Sequence, residues 1–197
     1  MSLSDELIHH LQGEPLAQIS QQLGVPQAQV ADAAQAALPL LLGALGRNAS
    51  QANGADALFG ALRKDHAGVD LGSVLGAVLG GGGQGDQILA HVFGGRQSRA
   101  EDALGTATGL GGDRAGQLLR MLAPLVLAYL AKRLFSQQGA ASPAVLGDVL
   151  GQEHQRVMED REGSGGLLGA VLDQDGDGQV GLRDLLKIGG GLFGDKR

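Results

Sequence analysis

The sequence has no cysteine and no tryptophan, and only one tyrosine and four phenylalanines in 197 residues. Without cysteine there is no disulfide framework and no thiol-based catalytic site, and the redox compartment cannot be read from the chain. Aromatic residues make up 3% of the chain, which disfavours β architecture, since strands draw on aromatic and β-branched side chains. Long hydrophobic runs are also scarce. The most apolar stretch, residues 121–131, follows Arg120 and is closed by Lys132 and Arg133, well short of the roughly 20 residues that span a bilayer. It reads as a buried core helix, and no membrane association is expected. The opening MSLSDELIHH lacks the basic start and apolar run of a secretory signal, so a cytoplasmic location is the default expectation. Basic excess is missing too. A net charge of −6 is unfavourable for nucleic acid, whose phosphates must be met by a positive face.

What the chain does contain is alanine, leucine and glycine. Hydrophobic residues reach 43% and glycine numbers 35, against a usual glycine share of about 7%. Leucine packed against alanine is a helical economy, and frequent glycine implies many short helices joined by turns. The expected fold class is all-α. The length allows one large core or two small ones.

Apolar spacing marks the helices in turn. Leu3, Leu7, Ile8 and Leu11 form a stripe over residues 4–12, and Leu16, Ile19 and Leu23 form a second that Gly24 stops. Pro26 opens a third through Val30, Ala34, Ala37 and Leu38, and Pro39 is expected to kink it. Residues 55–64, 71–79 and 86–93 read as short helices, and 94–99 as a polar, basic linker. Pro143 starts a longer helix that the glycines at 163–166 end, and residues 167–172 and 182–188 are two further short helices.

The chain also resembles itself. LGVPQAQVADAAQAALPLLLGAL at 23–45 aligns without a gap on TGLGGDRAGQLLRMLAPLVLAYL at 108–130, and GAVL at 76–79 recurs at 169–172. This reads as a duplicated helical unit, residues 1–97 and 98–197.

The one strong chemical signal lies near the end of the second copy. DQDGDGQVGLRD, residues 173–184, fits a twelve-residue EF-hand-like calcium loop. Asp173, Asp175 and Asp177 fall at positions 1, 3 and 5, Gly178 at the sharp turn, and Asp184 at position 12, with Gln179 offering its backbone carbonyl. Hard cations need several oxygens at once, and alternate carboxylates on a tight loop supply them. Position 12 usually holds Glu. The shorter Asp184 argues for a single oxygen, lower affinity or more tolerance of magnesium. Loops closing with Asp also resemble those of dockerin modules, which carry two such loops. The first copy, at residues 80–87, has Gly and Gln at the ligand positions and reads as a degenerate counterpart.

Three further features carry less. Gly80, Gly82 and Gly85 spell G-x-G-x-x-G, but no strand precedes them, so a nucleotide site is not expected. Residues 16–23 and 26–38 could form a helix-turn-helix offering Gln27, Gln29, Asp32 and Gln35 outward, yet no basic residue on that second helix would hold phosphates. Arg114 and Arg120 are better placed in the second copy. His9, His10, His66, His91 and His154 lack metal spacing, His91 reads as a packed core residue, and Glu153, Glu159, Asp160 and Glu162 as a solvated face. Catalytic motifs are missing, so an enzyme is not expected.

On the repeated segments and on GDQILAHVFG at 85–94, the chain resembles the bacterial YidB-like family, domain of unknown function 937, over about residues 3–135. That resemblance implies an all-helical fold with homeodomain-like helix packing, no assigned activity and no catalytic residues. Taken together, the sequence predicts a cytoplasmic calcium-binding protein that works through a protein partner or self-association. The alternative is a helix-turn-helix-like nucleic-acid binder.

Overall fold

The computed structural model describes residues 2–66, 70–81, 84–136, 141–159 and 164–172; among these, ten α-helices are joined by short turns and no strand occurs. Helix α1 (Leu3–Leu11) starts at a capping box. The Ser2 hydroxyl accepts from the Asp5 N–H, and the Asp5 carboxylate accepts from the Ser2 N–H, both at 3.0 Å. Gly13 then turns the chain at φ +85° into α2 (Glu14–Leu23), with Pro15 in its first turn. Gly24, left-handed at φ +65°, ends α2.

Helix α3 (Gln27–Ala49) is one continuous helix with Pro39 inside it, and α8 (Gly112–Ser136) likewise contains Pro124. The proline expected to kink α3 does not end it. An interior proline costs about 3 kcal/mol. Around it, Leu38, Leu40, Leu41 and Leu42 are at most 1% exposed, and each fully buried leucine contributes roughly 1.5–3 kcal/mol. Burial therefore outweighs the proline. Every residue from 37 to 46 and from 121 to 131 is buried, as expected of helices that are apolar all round. By length and composition α3 could also cross a membrane, and 61% of its apolar window is buried inside the protein.

The other helices cover this central pair. Helices α1 and α2 lie on α3, as α6 (Gly85–Phe93) and α7 (Gln97–Thr108) lie on α8. The chain then crosses over. After α4 (Gly54–Ala61), the π-helical turn Leu62–His66 and α5 (Leu71–Leu79) settle on α8, while α9 (Pro143–Glu159) and α10 (Ser164–Leu172) settle on α3. The buried side chains of all these elements form a single cluster.

The local outcome differs from the sequence expectation in three places. Residues 94–99 are not a linker: Gly94–Arg96 is a 3-10 turn that runs into α7. Helix α7 escapes the periodicity because it packs through small residues. It buries Ala100, Leu104 and Gly105, and a Cβ on Gly105 would lie 2.7 Å from the Gly112 nitrogen. Gly85, which the GAVL register sets opposite the turn glycine Gly178, does not reverse the chain; it opens α6, where a Cβ would sit 2.9 Å from the Arg120 carbonyl carbon. Its side chain is missing for reasons of close approach rather than turn geometry.

Glycine also sets the α3–α9 distance. A Cβ on Gly46 would meet the His154 Cβ at 2.8 Å and the Leu150 carbonyl oxygen closer still. Alanine is the better helix former by about 1 kcal/mol, so propensity and packing oppose each other at this position. Backbone cannot yield cheaply, and overpacking costs about 1–3 kcal/mol. Gly46→Ala is therefore expected to lower stability in urea unfolding. Gly151→Ala, with nothing within 4 Å of its Cβ, should instead gain up to about 1 kcal/mol.

Candidate functional site

The predicted calcium ligands Asp173, Asp175, Asp177, Gln179 and Asp184, and the helix expected at 182–188, lie outside the described residues. The approach to them is described. Helix α10 ends at Leu172, one residue before Asp173, and packs against α3, α7 and α9. Leu168 and Val171 are fully buried there. Gly43 makes room for this contact, since a Cβ on it would lie 2.6 Å from Leu168 Cδ2. The chain thus enters the acidic stretch from an anchored helix. Among the described residues, no group of three or more His, Asp or Glu side chains could hold a metal ion. Of the counterpart at 80–87, Gly80 and Gly81 form a turn and Gln84 precedes α6, while residues 82 and 83 lie outside the described set.

Three polar clusters tie the covering helices to the core. Glu153, read from sequence as part of a solvated face, is only 2% exposed. Its carboxylate accepts from the Leu3 N–H (3.3 Å), the Ser4 N–H (3.4 Å) and the Ser4 hydroxyl (2.9 Å), with Arg156 at 3.7 Å. A carboxylate is well placed there, because the first amides of α1 have no partner within the helix. Spacing could have exposed it. Glu153 falls on the same stripe of α9 as the buried Leu146, Leu150 and Val157. The next residue, His154, places Nδ1 2.8 Å from the Gly43 carbonyl oxygen.

In the second cluster, the Tyr129 hydroxyl and Arg133 both donate to the Glu6 carboxylate, and the His10 ring lies 5.5 Å from that of Tyr129. The Tyr129 hydrogen bond, and then the Arg133 charge, hold the Glu6 carboxyl below its ordinary range against the opposing effect of burial. Burial, and then the Glu6 partner, push the Tyr129 phenol up. In the third cluster, Arg120 pairs with Asp86 and, at 3.4 Å, with Glu101. His91, expected in the core, is instead exposed, with Nδ1 2.8 Å from the Gln87 carbonyl oxygen.

The candidate nucleic-acid residues fare unevenly. Gln27 and Gln29 reach the carbonyls of Gly13 and Gly109, both at 3.4 Å. Arg120 is committed to carboxylates, while Asp32, Gln35 and Arg114 are exposed.

Residues 5–133 match the family described as bacterial protein of unknown function (DUF937). The chain belongs to that family. No curated protein and no solved structure matches it. The DUF937 segment covers α1 to α7 and nearly all of α8, so α9, α10 and the acidic stretch lie beyond it. Nevertheless α9 and α10 share its core, lying on α3 through Gly43 and Gly46.

The Glu6 cluster gives a pH signature. A carboxyl with a depressed folded pKa contributes stability above its ordinary value of 4.5, and that contribution is lost as pH falls through the folded value. Tyr129→Phe removes the largest cause of the depression. Urea unfolding should find the variant about 1–3 kcal/mol less stable at pH 7, with a smaller further loss than the parent between pH 5 and pH 3.

Proposed function

We propose that this DUF937 protein is a non-enzymatic calcium-binding protein that acts as a structural or protein-interaction module in the cytoplasm. The observation that carries the proposal is the ligand spacing of the acidic loop. Asp173, Asp175, Asp177 and Asp184 would bind calcium by side chain and Gln179 by its carbonyl, with Gly178 shaping the turn. Docking of α10 through Leu168 and Val171 supports this reading, because the first ligand then leaves a fixed helix. In the absence of a cation the four carboxylates repel one another. A bound ion cancels that repulsion and stabilises the state that holds it by mass action. Magnesium is the weaker candidate ion, admitted by the short Asp184.

A duplicated architecture fits the same reading. Gly24, Gln27 and Pro39 stand opposite Gly109, Gly112 and Pro124, each at the same place in the α2–α3 and α7–α8 pairs. Helix α5 (Leu71–Leu79) likewise answers to α10 (Ser164–Leu172), both ending in GAVL. DELIHHLQG at 5–13 also resembles DQILAHVFG at 86–94, which makes α6 the partner of α1. The unit is then five helices, and the second one starts at α6 rather than at residue 98. Each unit lends its last helix to the central helix of the other, α5 to α8 and α10 to α3. In this frame the acidic loop follows the last helix of the second unit along the chain. A single intact loop invites pairing with a partner protein or a second copy, since EF-hand loops normally work in pairs.

The nucleic-acid alternative is weakened by the commitment of Arg120 to Asp86 and Glu101 and by the overall charge of −6. Calorimetry with calcium and with magnesium tests the main reading. Calcium should bind saturably and more tightly than magnesium, and Asp177→Ala should weaken it about tenfold or more, one lost charged ligand being worth over 1.4 kcal/mol. Equal heats from parent and variant would sink the proposal.

A further inference from the structure

A second charged feature lies at the opposite end of α3 from the glutamine-bearing start of that helix, and it owes nothing to the acidic loop. Arg47, in the last turn of α3, and Arg96, at the corner between α6 and α7, line one open cavity of about 450 Å³. Among the described residues, no carboxylate lies within ion-pair distance of either. Arg120 and Arg133 show the usual alternative, each meeting a carboxylate on another helix. Two half-buried guanidinium groups side by side on a chain of net charge −6 are an unfavourable arrangement unless something of opposite sign is shared between them. Burial, and then the Arg96 charge, hold the Arg47 guanidinium below its ordinary pKa.

The rest of the lining suits an anion. Asn48 spends both amide hydrogens on the His91 and Val92 carbonyls (3.0 and 2.9 Å), which closes the end of α6 and fixes the corner. Gly94, at φ +57°, turns that corner, and a Cβ on Gly95 would meet nothing within 4 Å. Backbone is thereby left open to a ligand.

The cavity does not end at the arginines. Asn48, Gln51, His91 and Val92 also line a neighbouring cleft of about 500 Å³ between α3, α4, α6 and α8. That cleft is mostly apolar, walled by Leu45, Leu58, Ala61, Ile88 and Leu127, with Gln84 and Gln87 also on its lining. Charge at one end and hydrocarbon at the other match an amphiphilic anion. Planar guanidinium forks favour oxyanions, phosphate above all. We infer that this cleft binds an organic phosphate, its oxyanion held between Arg47 and Arg96 and its apolar part lying along Leu58 and Ile88.

Octyl phosphate, below its micelle concentration, is the probe for titration calorimetry on the full chain, with inorganic phosphate and octanol as comparisons at fixed ionic strength. Octyl phosphate should bind saturably and about tenfold or more tighter than inorganic phosphate, the gain expected from burying part of an alkyl chain. Arg47→Gln and Arg96→Gln should each weaken it by about tenfold, while Arg63→Gln, an exposed residue outside the cleft, should leave it unchanged. Ala57→Gln, an exposed position on the apolar wall, should bring octyl phosphate back toward inorganic phosphate. A parallel arm with phosphatidic acid vesicles identifies the source. Vesicle binding that disappears with either arginine substitution places the phosphate in a lipid headgroup, and binding of octyl phosphate alone places it on a free metabolite; both support the site. Equal affinity for octanol and octyl phosphate, undiminished binding by both arginine variants, or no binding of any probe would overturn it. Thermal melts identify a variant that has not folded, and Arg96→Gln, at the surface corner, carries the test if Arg47→Gln fails.

Discussion

The fold depends on the mutual burial of α3 and α8. Both helices are buried on every face, over residues 37–46 and 121–131, and a stretch of that kind has no side that water will accept. Each must therefore be enclosed by neighbours all round. The remaining eight helices among those described serve as that enclosure. They also explain how a chain with 3% aromatics builds a core. Leucine provides the area, while alanine and glycine let helix axes approach closely, as Gly43 does for Leu168 and Gly46 for Leu150. Volume that larger side chains would fill elsewhere is removed here by shortening distances.

Enclosure by separate short helices creates a second requirement. A short helix is marginal by itself, so each cover needs a specific tie. Glu153 supplies one for α1, Glu6 with Tyr129 and Arg133 another for α1 on α8, and Asp86 with Arg120 a third for α6 on α8. These ties also decide which charges remain for chemistry. Arg120 and Arg133 are used up in holding helices, whereas Arg47 and Arg96 face a cavity between elements. The proposed calcium loop, in turn, follows a helix whose position α3, α7 and α9 already determine.

Much of this was legible from local pattern. The all-α class, the stripes of α1, α2, α5 and α6, and the end at Gly24 follow from side-chain spacing and backbone freedom, which act within a few residues. Helix α7 was not legible, because Ala100 and Gly105 bury backbone rather than hydrocarbon and leave no apolar stripe. At Pro39 the sequence marked a kink, and α3 runs on through it to Ala49. Intrinsic propensity says break, and only the burial of leucines on all sides reverses it.

By itself the sequence determined the helical class, the internal resemblance and the spacing of the carboxylates from Asp173 to Asp184, since each depends on residues adjacent along the chain. Tertiary structure alone decided that Glu153 is buried, that His91 is exposed, that Gly85 faces the Arg120 backbone, and that Arg47 and Arg96 come together with no carboxylate of the described residues at ion-pair distance. The physical reason is that burial and charge environment are properties of neighbours in space. Helices far apart in sequence supply those neighbours, and no periodicity within one helix reports them.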